Sequence, residues 1–511
     1  MGGIPKKEVT TTLMDTNTIT ITFPQVKINF NISDINFNTL ENTVFDITQM
    51  IGRKVLEKAL YDIDDRLRDG RPKGELRNTG KKQKYFLTRL GDIRYKRTRY
   101  IDKATGKSRY LLEEKLGIKI NQRLSLLRAK VEIFLASIIP YRGARENIRL
   151  LAGYGRSHEA LRQSVIKEAE GILRHEKHTI DKINRLEFDE DNSTPYDIAY
   201  METDEAYIRL QRRRKQKGNN RRKRKKKSIA IKMAIGYTGR ENRYRISRGR
   251  AKRLVNKFTY LGISNGKRFM ENLSLIAEKK MSISRAKNLF FGGDGDRWIT
   301  RGIQDFFTGA IYILCLFHLF RNIKRALPSR KEEQKEIKRL ITQDKIDEAL
   351  YNILKMSRDS DDMKEKEALE ELYCYIRDNR KGINALKYIK DKEIKQYVRR
   401  TGAIEPNIDK VIAHRFKKRG MSWSIKGALS LLKIKETVIN GEWDRWWSSK
   451  RDEKIEIDTE PLKQLTAKNF WKKGKDRSPL IEAEIPALQG PDRNEPWAKV
   501  IRQLQTIDYY K

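Results

Sequence analysis

The chain has 511 residues, with 111 Lys plus Arg against 68 Asp plus Glu and a net charge of +43 at pH 7. That excess excludes an acidic, solvating protein and points to a polyanionic partner, nucleic acid first. With 38% hydrophobic and 9% aromatic residues the chain is no basic tail, and it has the length for roughly two to four packed domains.

Two cysteines, Cys315 and Cys374, offer no disulfide framework and fit a reducing compartment. No secretory signal opens the chain. The longest apolar run, residues 310–320, is broken by His318 and is far short of the ~20 residues a membrane span needs. A soluble, cytoplasmic protein without a membrane partner is expected.

Residues 1–84 read as a Thr- and Asn-rich lead-in with one or two short strands, a helix over 43–67, and a basic linker over 70–84. In 85–122 the period changes. Leu87, Leu90, Ile93, Tyr95, Tyr100 and Tyr110 punctuate basic residues, with turns at 90–92 and 104–107, which predicts a β-meander. Arg94, Lys96, Arg97, Arg99, Lys103, Lys107 and Arg109 would stud its faces, either solvated or against a DNA backbone.

Residues 123–190 are helical, with helices over 123–138, 141–151 and 157–173, and Ser157 as an N-cap. The short Gly-containing turn at 152–156 has the outline of a helix-turn-helix, an outline any αα-hairpin shares. Arg156, His158, Arg162, Gln163 and Lys167 would then lie towards a DNA groove.

Over 191–325 the pattern becomes strands at 198–211 and 228–237, with a third candidate at 243–246. Between the first two, twelve of the sixteen residues 212–227 are Lys or Arg. No packed core holds such a run, so Arg212, Arg213, Arg214, Arg221, Arg222, Lys223, Arg224, Lys225, Lys226 and Lys227 form an exposed, phosphate-gripping loop, the alternative being a localisation signal. A helix over 265–280 leads to an apolar strand that ends in Gly292-Gly293-Asp294-Gly295, then to a helix over 298–307 and a strand over 310–315.

Residues 326–400 are charged and helical, with Glu and Lys at helical spacing. In 401–440, Glu405 opens a helix carrying Ile408, Val411 and Ile412 on one side, and a second apolar helix runs to 435. Arg415, Lys417, Lys418, Arg419 and Trp423 are candidate DNA contacts there. Residues 441–511 form a tail with Trp443, Trp446, Trp447, Pro486 and Pro491.

The expected fold is a multidomain α+β and α/β chain. Its RNase H-like core, a mixed sheet flanked by helices, is interrupted by an all-α insertion. A small β-meander and a helical DNA-binding region precede it. Two-metal phosphoryl transfer needs carboxylates converging on a pair of Mg²⁺ ions ~3.5–4 Å apart. In such a core these acids come from the first strand, the end of the fourth and a later helix, the places of Asp204, Asp294 and Glu405. Glu202, Glu205 and Asp296 stand beside them and are poorly separated by pattern. The denser cluster of Glu365, Glu367, Glu370 and Glu371 alternates with lysines as a solvated face does.

Several motifs carry a resemblance: Glu202-Thr203-Asp204-Glu205, Gly293 through Ile299, Cys315-Leu316-Phe317-His318, Ile404-Glu405, Arg419 through Ser424, and Ile485 through Pro491. From about residue 50 onward the chain resembles a DDE transposase of bacterial insertion sequences, of the ISLre type, related to Mutator-like transposases. The resemblance implies Asp204, Asp294 and Glu405 as catalytic and metal-binding residues, two Mg²⁺ ions with Mn²⁺ as a substitute, and Cys315 and His318 as structural or active-site support. It also implies double-stranded DNA as partner (terminal repeats and target), a homodimer or higher oligomer on that DNA, and a nucleoid-associated location. An RNase H-like nuclease without strand transfer and a non-catalytic DNA-binding derivative are the alternatives.

Overall fold

The computed structural model describes residues 36–71, 74–185, 196–211, 227–242, 252–385, 389 and 401–450, together with the paired short strands β1 (Thr10–Thr12) and β2 (Thr20–Thr22). The chain divides into two units, Met1–Lys450 and Arg451–Lys511, and the second lies outside the described residues. So do 212–226 and 243–251, hence nearly all of the expected basic loop and the third strand sought at 243–246.

Helix α1 (Phe37–Asp69) starts at a capping box formed by Asn36 and Thr39. Its later turns lay Leu56, Leu60, Ile63 and Leu67 on Phe86, Ile93, Tyr95 and Leu112. These come from an antiparallel meander, β3 (Leu76–Thr88), β4 (Gly91–Asp102) and β5 (Ser108–Arg109), and from the short α2 (Leu111–Lys115). The meander begins inside the stretch read as a linker. Nor do all its cations stud the faces. Arg97 is buried with Lys84, and both pair with Glu113, so these charges hold the small core together.

Helices α3 (Leu126–Ile138), α4 (Tyr141–Ala152) and α5 (His158–Asn184) follow. Gly153 ends α4 in the left-handed conformation, and Ser157 caps α5 as its pattern predicts. At 27 residues α5 is far longer than a recognition helix, and Leu161, Val165, Ile166, Ala169 and Ile172 bury one side of it.

The central sheet has the order β10-β7-β6-β11-β12, from β6 (Tyr196–Arg209), β7 (Ser228–Tyr237), β10 (Phe258–Gly262), β11 (Ala286–Gly293) and β12 (Ile311–Leu314). A small ribbon of β8 (Gly239–Asn242) and β9 (Lys252–Val255) stands between β7 and β10 in sequence. Strands β6, β7 and β10 pair antiparallel, whereas β11 and β12 run parallel to β6. Neighbouring residues of a strand therefore serve two cores. Met201 and Phe291 pack under α6 (Gly266–Met281) and α7 (Arg297–Phe306). Tyr200, Ile208, Met233, Ile235 and Phe290 meet the other layer.

That other layer contains α3, α5, a helix α13 (Ile404–Ile408) that continues in wider turns through Asp409–Lys417, then α14 (Ile425–Ile439) and α15 (Trp443–Ser448). Trp443 and Trp447, read as part of a tail, are core residues. Between the sheet and α13, α8 (Leu316–Ala326), α9 (Lys331–Thr342), α10 (Ile346–Arg358), α11 (Met363–Asp378) and α12 (Arg380–Ile383) form a separate apolar cluster.

Candidate active site

Parallel strands β11 and β12 end side by side, level with the middle of β6. Gly292 pairs with Glu202 across β11 and β6, so two residues further on Asp294 stands beside Asp204. Gly293 pairs with Leu314 across β11 and β12, so the next residues, Asp294 and Cys315, are neighbours as well. The Cys315 N–H donates to the Gly293 carbonyl at 2.8 Å. Cys315 also precedes α8, which places His318 one turn inward. The carboxyl edge of parallel strands is where α/β sheets usually bind ligands.

Glu405 arrives from some two hundred residues downstream, and a neighbouring acid brings it there. Glu202 is 1% exposed and accepts hydrogen bonds from the Gly402 and Ile404 N–H groups at 2.8 and 3.0 Å. Its other oxygen accepts from the Tyr237 hydroxyl at 2.6 Å. This carboxylate fastens the start of α13 to β6. Two glycines leave room for the crossing: a Cβ on Gly292 would come 2.6 Å from Thr401 Cβ, and one on Gly295 2.8 Å from the Asn379 amide. Gly295 also has φ +95, so it suits the turn for a second reason. The Tyr375 hydroxyl, from α11, donates to the Asp294 carbonyl at 2.7 Å and Asp294 accepts from the Asp296 N–H at 3.0 Å.

His318 links the two halves of the site. The Asp204 carboxylate lies 3.6 Å from His318 Nε2, which is 3.0 Å from Glu405. Ligand atoms of Asp204, Asp294 and His318 fall within 4.8 Å of one another, as do those of Cys315, His318 and Glu405. Burial, opposed by the His318 charge and reinforced by Asp294, pushes Asp204 up to about 7. Burial also raises Asp294, the Asp296 N–H bond opposing it. Burial works on Glu405 in the same sense, but His318 and Asp204 outweigh it and hold Glu405 below the usual carboxylate range. For His318, burial would lower the pKa; Cys315, Glu405 and Asp204 together raise it to about 10.

Buried like charges on adjacent strands repel unless a cation shares them. Asp204 and Asp294 are hard oxygen donors of the kind Mg²⁺ or Mn²⁺ takes, and His318 completes their group as a nitrogen donor, so these residues could hold a divalent cation. Cys315 and His318 add a softer sulfur and nitrogen at the Glu405 side. Cys374, the other cysteine, is exposed.

Of the neighbouring acids, Asp296 stays electrostatically tied to the site, raised by burial and by Asp294 and Glu205, while the others are engaged elsewhere. Glu202 is a brace. Glu205 accepts from the Tyr207 hydroxyl at 2.6 Å and lies 3.5 Å from Lys232, on the opposite face of β6. Asp296 precedes α7. Glu365 is held by Arg330 at 2.8 Å and Glu371 is exposed on α11.

Three residues expected on a DNA surface are placed otherwise. Arg415 is 2% exposed, donates twice to the Ala136 carbonyl at 3.2 and 3.0 Å, and lies over the Tyr141 and Trp423 rings. Trp423 is buried; its indole N–H donates to the Phe416 carbonyl, and its backbone bonds to Arg209 and Gln211. Arg156 pairs with buried Glu132 beside Arg128. These cations and this ring satisfy buried polar groups, which removes them from any groove.

Arg162 and Gln163 both bind Glu159, whereas Lys167, Lys227, Lys417 and Lys418 are exposed. The side chain of Arg419 and residues Arg212, Arg213, Arg214, Arg221, Arg222, Lys223, Arg224, Lys225 and Lys226 lie outside the described residues. Pattern reading missed the bracing of Glu202, Tyr237, Tyr375 and Asn379. The glycines at 292 and 295 were its one visible trace.

No helix among the described residues is long and apolar enough to cross a membrane. The sequence profile of UPF0236, described as an uncharacterised protein family, matches residues 32–452. One UPF0236 protein of Caldanaerobacter subterraneus subsp. tengcongensis, whose name joins eleven gene loci, is 23% identical over 414 residues, 80% of this chain and 79% of its own. UPF0236 protein TTE2489 of the same organism is 21% identical over 410 residues, 80% of this chain and 79% of its own.

Proposed function

We propose, for a chain that belongs to the uncharacterised protein family UPF0236, the activity of a DNA transposase. It would bind the terminal repeats of its own element, cut DNA at the ends and join the 3′ ends to target DNA through an Asp204, Asp294 and Glu405 site. The observation that carries this reading is the convergence of three acids from two adjacent parallel strands and a distant helix on one sheet edge. Counted in sequence, the strand order is third, second, first, fourth, fifth, which agrees with an RNase H-like core interrupted by α9 to α12. A relative present at eleven loci of one genome suits a gene that copies itself. The charge of +43 suits double-stranded DNA as partner.

Asp204, Asp294 and Glu405 would hold two Mg²⁺ (or Mn²⁺) ions. When bound, such ions activate the attacking oxygen and stabilise the leaving one. The chain's own part is placement. Glu202 holds the Glu405 segment, Tyr375 steadies the Asp294 turn, and His318 Nε2 stands between Asp204 and Glu405, 3.6 and 3.0 Å from them. Two DNA ends must be joined, so a homodimer or higher oligomer is the working species.

The test is full-length protein with paired element-end DNA and Mg²⁺, read for nicked ends and for end-joined product. Both products support the proposal. Nicking without joining would make the protein a nuclease, and neither product with bound DNA would make it a non-catalytic binder.

A further inference from the structure

Helix α8 starts at the carboxylates and leads away from them. One side of it is core: His318, Leu319, Ile323 and Ala326 are buried. The opposite side begins with Phe317, 55% exposed, whose ring meets that of His318 edge-on at 5.4 Å. One turn on, the exposed Arg321 holds its guanidinium 5.8 Å from the centre of the Phe317 ring. Lys324 and Arg325 are exposed on the following turn, so the ridge runs ~12 Å from ring to last cation. Among the described residues none of these three cations is in an ion pair.

A single exposed phenylalanine is common on a protein surface. This one is set apart by its place. It adjoins His318, which touches two of the three acids, and Arg321 acts electrostatically on both Glu405 and Tyr375. An aromatic face beside a metal-fitting site, followed by exposed cations at helical spacing, is what a nucleotide strand needs: stacking for a base, then charges for its phosphates. Bases inside a duplex are already stacked on one another, so the ligand is an unpaired base near a DNA end.

We propose that the solvent face of α8 is a nucleotide subsite: Phe317 stacks the unpaired base next to the phosphate held at the carboxylates, and Arg321, Lys324 and Arg325 hold the phosphates beyond it. This rests on reading the site as a DNA-cutting and joining centre. The two claims come apart in one experiment on the full chain. Its probes are a short duplex with a 3′ overhang carrying 2-aminopurine as the unpaired base, and the matching blunt duplex.

Wild-type protein is expected to bind both and to quench the overhang probe. Phe317→Ala should lose the quenching and about tenfold in affinity for the overhang duplex, within the roughly 5- to 150-fold range of one stacked base, with less than about twofold change for the blunt duplex. Phe317→Trp should restore both. Arg321→Ala should lower the slope of log affinity against log salt by about one. Quenching that survives Phe317→Ala, or that never occurs while the wild type binds and cuts, overturns the subsite and leaves the catalytic reading standing. A wild type that binds neither duplex overturns both.

Discussion

At the residue scale, adjacency in sequence says little about role. Glu202, Asp204 and Glu205 lie within four positions, yet the first is a brace, the second a candidate ligand, and the third faces away beside Lys232. Glu405→Gln is expected to keep DNA binding and to abolish Mg²⁺-dependent cutting, because a neutral amide replaces an anionic ligand. Glu371→Gln, on an exposed helix face, should cut normally. Cutting assays on paired-end DNA check both, and wild-type rates for Glu405→Gln would remove that residue from the site. Arg415 supplies the opposite case. Arg415→Met should destabilise the fold by about 2–4 kcal/mol in denaturant melts, since the Ala136 carbonyl loses a buried charged donor. The salt dependence of DNA binding should not move; a flatter slope would return Arg415 to the DNA surface.

At the element scale the site depends on one helix start being fastened to one strand. Gly292→Ala puts a methyl group into the space of Thr401, so the segment leading to Glu405 must shift. A cutting rate lowered by about 10- to 100-fold with near-native melting is expected, because displacement of ~1 Å at a catalytic group is that costly. Unchanged cutting would mean that the segment tolerates the shift.

Elsewhere α14 closes the open edge of the sheet, a place that would otherwise invite pairing with another chain. Asn440 both donates to and accepts from Thr259 of β10, and Glu436 accepts from the Leu261 N–H at 2.6 Å. Lys433 lies between Glu176 and Glu436 at 2.8 and 3.1 Å. Burial, opposed by Lys433 and reinforced by Glu176, pushes Glu436 up to about 7. An acid that holds its proton more tightly when folded contributes stability below the ordinary carboxyl range, and that contribution is lost as pH rises towards about 7. Glu436→Gln keeps an acceptor for Leu261 without the titration. Relative to that variant, the wild type should lose on the order of 2–3 kcal/mol between about pH 4.5 and 7. Melts that run parallel across this window would exclude Glu436 as the cause.

At the scale of the whole molecule, the proposed function gives the charge excess and the site different ends: charge would attract any DNA, whereas the carboxylates would act on one phosphate. Replacing Arg221, Arg222, Lys223, Arg224, Lys225, Lys226 and Lys227 by Ala should weaken binding to all sequences alike and flatten its salt dependence. An unchanged slope of log affinity against log salt would make that loop a bystander.

Much of the architecture is legible in the sequence, because strands with two buried faces and amphipathic helices leave periodic traces. The apolar run closed by Gly292-Gly293-Asp294, the Ser157 cap, and Val411 with Ile412 on one helix side are local patterns, and the structure has each of them. Composition likewise determined the kind of partner to look for, since +43 charges cannot be neutralised within the chain. What only the tertiary structure decided are the pairings across long sequence distance. A buried cation and an exposed one read alike in sequence; Arg415 and Lys417 differ in what the fold brings against them, Ala136, Tyr141 and Trp423 for the first and solvent for the second. Three acids within four positions are equivalent until strand register turns alternate side chains to opposite faces. Glu202 then meets Gly402 and Ile404, some two hundred residues away, and that contact places Glu405 beside His318 and Asp204.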